Sequence, residues 1–255
     1  MSAVPQDRTV IVTGAVSPRG IGRATAELLA GQGWNVGIID LDAGGCRELA
    51  EELTSRHGVQ AYGAAADVSD EQRVRAAVDQ LEDNLPQVVA LANIAGVSSP
   101  VPYLELTSDE WHRVININLN GVHYVTRRVV ESMVKNEVGR VVSLSSVSAQ
   151  RGGGTFSKTP YSVAKAGVIG LTRSLARELG PHGITVNAIS PGPIDTDIMG
   201  GTLSDERKDE LAADLVVGRV GVPHDIAAAI SFLISEDAAF ISGQTLNVDG
   251  GLYMH

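Results

Sequence analysis

Residues 13–22 read TGAVSPRGIG. An apolar run, TVIVT at 9–13, precedes this stretch. IGRATAELLAGQG at 21–33 follows, where Ile21, Ala24, Leu28 and Leu29 recur at helical spacing. Strand, glycine-punctuated turn and helix in that order predict the first unit of a parallel α/β sheet. At such a turn the helix N-terminus presents unpaired amides to an anion. Gly14 permits a tight turn, while Gly20 and Gly22 permit backbone approach and close helix packing. The glycines fall at 14, 20 and 22, off the G-x-G-x-x-G spacing.

Working outward, further strand-like runs lie at 35–40, 59–65, 88–93, 139–145, 184–190 and 244–249. Several are nearly continuous in Val, Ile and Ala, as expected where both faces are covered. Amphipathic segments at 43–57, 70–84, 108–136, 161–179 and 225–234 alternate with them. The pattern predicts a Rossmann-type doubly wound parallel sheet of seven strands with helices on both faces, a three-layer α/β/α domain over 1–255. Ser69 is the expected N-cap of 70–84, with Gln72 completing a capping box. The stretch 191–220 is too long for an idle connection; it carries helical patterning at 204–217 and reads as a lid over the carboxyl ends of the strands.

The formal net charge of −10 leaves no basic excess to neutralise phosphates, which argues against a nucleic-acid partner. No apolar run approaches a membrane span in length. The start, MSAVPQDRTV, lacks a basic segment followed by an apolar one, and the single cysteine, Cys46, reads as a packing residue. A cytoplasmic protein is expected. The six histidines, 57, 112, 123, 182, 224 and 255, show no ligand spacing, so no metal is expected.

Asp40 ends the second strand, 20 residues beyond Gly20, where a carboxylate can bind both hydroxyls of an adenosine ribose. Loop and carboxylate together predict a dinucleotide site. A 2′-phosphate about 4 Å from Asp40 would cost roughly 4 kcal/mol at an effective dielectric of about 20. Arg19, in the loop, could pair with that phosphate, but an exposed ion pair returns at most about 1 kcal/mol. NAD is therefore expected over NADP.

YSVAK at 161–165 places Tyr161 and Lys165 one helical turn apart on one face. A tyrosine acting as a base near neutral pH needs its pKa lowered by about three units, roughly 4 kcal/mol. An adjacent ammonium and a positive nicotinamide ring can supply this. Ser146, in SLSS before this helix, could hold a substrate oxygen.

With these motifs in order, the chain resembles the short-chain dehydrogenase/reductase family from about Thr9 to Gly251. TG…GIG resembles the cofactor loop, Asp67–Val68 the adenine-contacting pair, and NIAG at 93–96 the family's Asn-Asn-Ala-Gly. WHRVININLNG at 111–121 resembles the helix carrying a catalytic asparagine, here Asn118; NAISPGPIDT at 187–196 and SGQTLNVDGG at 242–251 resemble later strands and turns.

The resemblance implies an acid/base role for Tyr161, ribose binding and pKa lowering for Lys165, oxygen orientation for Ser146, and a water-holding relay role for Asn118. It implies cofactor contacts at Gly14, Arg19, Gly20, Ile21, Gly22, Asp40, Asp67, Val68, Asn93, Ala95, Gly96, Pro191, Gly192, Ile194 and Thr196, besides Tyr161 and Lys165. Substrate-lining positions by the same resemblance are Ser98, Ser148, Gln150, Arg151, Phe156, Pro193 and Met199.

Three departures stand out: a glycine loop two residues longer than the usual Thr-Gly-x-x-x-Gly-x-Gly, Ile94 in place of the second asparagine, and a glycine-rich stretch between Ser146 and Tyr161. The polar lining leads us to expect NAD-dependent interconversion of a small polar secondary alcohol (polyol, sugar or hydroxy compound) and its ketone. An NADPH-dependent 3-oxoacyl thioester reductase is the alternative. A non-catalytic dinucleotide sensor is the third reading, against which the complete Asn118, Ser146, Tyr161 and Lys165 set speaks. A homotetramer is the assembly implied.

Overall fold

The computed structural model describes residues 4–154, 156–199 and 201–254, without the side chain of Met199. Strands β1 (Thr9–Thr13), β2 (Asn35–Asp40), β3 (Ala61–Ala65), β4 (Val88–Asn93), β5 (Gly139–Leu144), β6 (Ile184–Pro191) and β7 (Thr245–Val248) form one sheet. Their order is β3-β2-β1-β4-β5-β6-β7, and every pair is parallel. The Rossmann-type three-layer α/β/α fold read from the sequence is therefore the observed one.

The apolar strands divide their side chains between two cores, as a period of two requires. Val10 and Val12 join Leu29 of α1 (Ile21–Gly31) and Ile230 of α9 (Pro223–Ile234) on one face. Ile11, Ile39 and Leu91 join Leu81 of α3 (Glu71–Asn84) and Met133 of α5 (Gly121–Asn136) on the other. Each such side chain contributes about 1.5–3 kcal/mol on burial. The remaining helices are α2 (Ala43–His57), α4 (Ser108–Ile115), α6 (Ser148–Arg151), α7 (Thr159–Leu179) and α8 (Asp205–Ala212).

Three local expectations are corrected. The N-cap of α3 is Asp70, whose Oδ1 accepts from the Gln72 and Arg73 amides at 3.0 and 3.1 Å. Ser69 instead gives its amide and hydroxyl to Asp67 Oδ1, which outcompetes the cap. The third strand starts at Ala61 rather than 59, because the Gln60 amide donates to the Asn35 side chain, not to a ladder carbonyl. The segment 108–136 is not one α-helix: a π-turn, Asn116–Asn120, interrupts it between α4 and α5. Among the described residues no helix is long and apolar enough to cross a membrane.

Candidate active site

β1 and β4 are neighbours, but α1 packs on one face of the sheet and α5 on the other. The chain segments leaving the two strands diverge, and a cleft of about 620 Å³ opens at the carboxyl ends. Gly14, Gly20, Ile21, Asp40, Asp67, Val68, Ala95 and Gly96 line one side of it. Pro191, Gly192, Ile194 and Thr196 line the other, with Ser146, Tyr161, Lys165 and Asn118 between.

The lengthened loop has a definite shape. Pro18 takes the second position of a turn closed by Gly20 N–H to Ser17 O at 2.9 Å. Val16 N–H donates to Asp40 Oδ2 at 3.0 Å, and Val16 packs on Gly45 of α2, where a Cβ would stand 2.2 Å from its Cγ1. Asp40 thus fixes the loop it faces, its Oδ1 accepting from the Leu41 amide at 2.7 Å. Gly14 adopts φ 71°, and a Cβ there would lie 2.8 Å from Ala95 Cα. A Cβ at Gly22 would lie 2.1 Å from Gly14 O, so this glycine sets how closely α1 approaches the loop. Gly20 is the N-cap of α1, which has no side-chain cap and no acidic residue in its first turn. Glycine cradle, open helix N-terminus and a carboxylate at the end of β2 fit a dinucleotide: the first two suit its pyrophosphate and the third a ribose diol.

The π-turn places Asn118, fully buried, against the loop after β4. Its Nδ2 donates to Val97 O and Val114 O, both at 2.9 Å, and its Oδ1 accepts from Val97 N–H at 3.2 Å. With the amide so engaged, any water-holding by Asn118 falls to its main chain. Gly96 makes this approach possible: a Cβ there would meet Asn118 Oδ1 at 2.7 Å and Lys165 Nζ at 3.6 Å.

Ser146, two residues past β5, accepts from the Ser148 amide at 3.1 Å and lines the cleft with Tyr161. Lys165 is buried, with its Nζ donating to Leu144 O at 2.7 Å and lying 5.7 Å from the Tyr161 ring centre. Burial lowers Lys165 to about 8. Burial also pushes the Tyr161 phenol above its ordinary value, against the opposing pull of Ser146. The expected lowering of Tyr161 is thus not met by its surroundings in the protein alone. The ammonium bonds the main chain rather than the phenol, so any stabilisation it gives a phenolate acts through space, from 5.7 Å off the ring centre.

Several residues expected at the site lie elsewhere. Arg19 turns to the segment after β6, donating to Asp195 and Thr202. Asn93 sits under the sheet end, its Nδ2 donating to Thr126 Oγ1 at 2.9 Å and Ser143 Oγ at 3.1 Å, so its side chain braces β4. Gln150 faces away, donating to Asn247 Oδ1 at 3.0 Å, because α6 turns that side chain toward β7. Ser98, Ser148, Arg151, Phe156 and Pro193 do line the cleft; the side chain of Met199 lies outside the described residues. Ile94 keeps the strand end closed through its amide, which donates to Thr13 Oγ1 at 2.9 Å.

Sequence reading missed Ile117, Ser157, Ile198 and Leu211, which also line the cleft. Only the helical spacing of 204–217 hinted at Leu211. Among the described residues no three His, Cys, Asp or Glu side chains converge as metal ligands would.

A family model described as enoyl-(acyl carrier protein) reductase matches residues 14–253. An uncharacterized short-chain type dehydrogenase/reductase of Sinorhizobium fredii is 39% identical over 97% of this chain and 98% of its own. The 3-oxoacyl-(acyl-carrier-protein) reductase of Vibrio harveyi is 37% identical over 98% of each chain. That of Aquifex aeolicus is 36% identical over 97% of this chain and 98% of its own. On fold, site geometry and these likenesses, the chain belongs to the short-chain dehydrogenase/reductase family of oxidoreductases.

Proposed function

We propose that the protein interconverts a 3-oxoacyl thioester and its 3-hydroxyacyl counterpart, with NAD(H) as hydride carrier. The reaction type rests on one observation: Ser146, Tyr161 and Lys165 converge beside the glycine-cradled cleft. Ser146 holds the reacting oxygen, and Tyr161 gives or takes its proton as general acid/base. Lys165 stabilises the phenolate and binds the nicotinamide ribose, with Asn118 holding the adjoining backbone in register. Thr196 and Ile194 hold the carboxamide. A bound nicotinamide supplies or accepts the hydride.

Two observations favour the thioester over the small polar alcohol expected from sequence. The relatives in Vibrio and Aquifex carry that activity in their names. The outer cleft is also walled by Val97, Phe156, Ile198 and Leu211, which suit an acyl chain better than a polyol. Asp40 supports NAD, since its carboxylate faces the ribose end and repels a 2′-phosphate. Initial rates with acetoacetyl-coenzyme A and NADH should exceed those with NADPH and those for oxidation of polyols with NAD. A faster NADPH rate removes the cofactor half of the reading. A faster polyol rate restores the polar-alcohol reading, which Ser98, Ser148 and Arg151 in the same wall support.

We extend the reading to a homotetramer, supported by exposed Phe232, Phe240 and Leu246 near β7. Light scattering should return four chains per particle; a monomer would remove this part.

A further inference from the structure

Arg19 reaches across the cleft mouth. Its Nη2 donates to Asp195 Oδ1 at 2.6 Å, its Nη1 to Thr202 Oγ1 at 2.5 Å, and its Nε lies 3.2 Å from Asp197 Oδ1. Ser17 donates to Asp197 Oδ2 at 2.9 Å. All three guanidinium nitrogens therefore engage the segment after β6, which is far away in sequence. From the opposite wall, Ser98 Oγ donates to Ile198 O at 3.2 Å. Asp197, Ile198 and Leu211 of that segment line the cleft, so the segment is tied down on both sides of the space it covers.

The reach starts from the lengthened loop. The Ser17–Gly20 turn, braced at Val16 by Asp40, lifts Ser17 and Arg19 toward Asp195 and Asp197. Asp195 is itself fixed by Lys208, whose Nζ lies 2.9 Å from Oδ2; this contact holds its carboxyl below the ordinary range and keeps it charged.

We propose that Ser17 and Arg19 form a clamp that holds the segment after β6 over a bound dinucleotide, and that Arg19 is thereby withdrawn from reading a 2′-phosphate. The clamp rests on the dinucleotide reading of the cleft and deepens it: it makes the lengthened loop a determinant of cofactor residence and selectivity. A 2′-phosphate could recruit Arg19 only by breaking three contacts to the covering segment. NADP would then be disfavoured twice, by the charge of Asp40 and by loss of the clamp.

The test is a double-mutant cycle read on dinucleotide release. Release of NADH and of NADPH is followed by stopped-flow fluorescence for wild type, Arg19→Ala, Asp195→Asn and the double variant. Each single change should speed NADH release about fivefold, the scale of one partly exposed ion pair, and the double variant should be little faster than either single. Hydrogen exchange of residues 201–217 in the dinucleotide-free enzyme should rise in Arg19→Ala. Unchanged release in both single variants, or effects that multiply in full, would overturn the clamp. So would a much larger effect of Arg19→Ala on NADPH than on NADH, which would make Arg19 a phosphate reader. A wild-type protein that binds neither dinucleotide would remove the reading of the cleft, and the exchange measurement alone would then decide whether Arg19 restrains the segment.

Discussion

The floor and the mouth of the cleft are built on different principles. At the floor, Asn118 and Lys165 are buried and fixed to main-chain carbonyls of Val97, Val114 and Leu144, with Ser146 beside them. At the mouth, Arg19, Asp195 and Asp197 hold two segments together through charged groups that water reaches, with Arg19 and Asp197 side chains 36% and 42% exposed. Buried contacts to the backbone fix a geometry and are indifferent to salt. Partly exposed ion pairs are weak, screened and quickly broken. The contrast suits a reaction that needs reacting groups held still and a cofactor that must come and go.

The largest expected effect lies at the floor. Tyr161→Phe removes only the hydroxyl, and kcat/KM for the best substrate should fall about a thousandfold while dinucleotide affinity holds. A fall of less than tenfold would mean that the floor does not carry the proton.

Lys165 sharpens the comparison through pH. Its folded value is lowered to about 8, against an ordinary value near 10.4 in the unfolded chain. The folded state therefore gives up its proton first, so wild-type stability is held down below pH 8 and recovers as pH climbs through about 10. Lys165→Met lacks this titration. The stability difference between wild type and variant should move by roughly 3 kcal/mol in favour of wild type between pH 7 and pH 10.5, measured by denaturant unfolding. A flat difference would show that the lysine is not desolvated.

Gly22 tests the joint between the two regions. Gly22→Ala puts a Cβ 2.1 Å from Gly14 O and should cost about 1–3 kcal/mol of stability while weakening dinucleotide binding. A neutral result would mean that the loop can yield there. Asp40→Asn should lower the ratio of kcat/KM for NAD over NADP about tenfold. The smallest effect belongs to the mouth itself: raising ionic strength from 0.05 to 0.5 M should speed NADH release a few-fold in wild type and leave Arg19→Ala unmoved.

The sheet was legible because its strands are covered on both faces and read as unbroken apolar runs, as in TVIVT and VVALAN. Tyr161, Lys165 and Ser146 were legible because they sit at local spacings on one helix and one strand end. The rest depended on partners distant in sequence. Nothing near Arg19 announces Asp195, and nothing near Gln150 announces Asn247. The cap at Asp70 was misplaced by one residue because Asp67 captures the serine first. The π-turn has no pattern of its own: NINLN has ordinary helical spacing, and only the packing of Asn118 on Val97 shows why an extra residue is accommodated there.

Cys46 has a practical consequence. It is the sole cysteine of the chain, is fully buried, and its thiol is pushed up to about 11 by burial and by the charges of Asp40 and Asp42. Thiolate is the reactive form, so this sulfur is chemically silent at neutral pH. The natural protein is therefore a ready background for site-specific labelling: a cysteine introduced on α8 would be the one position a maleimide dye finds, and the motion of the cleft mouth could be watched directly in single molecules.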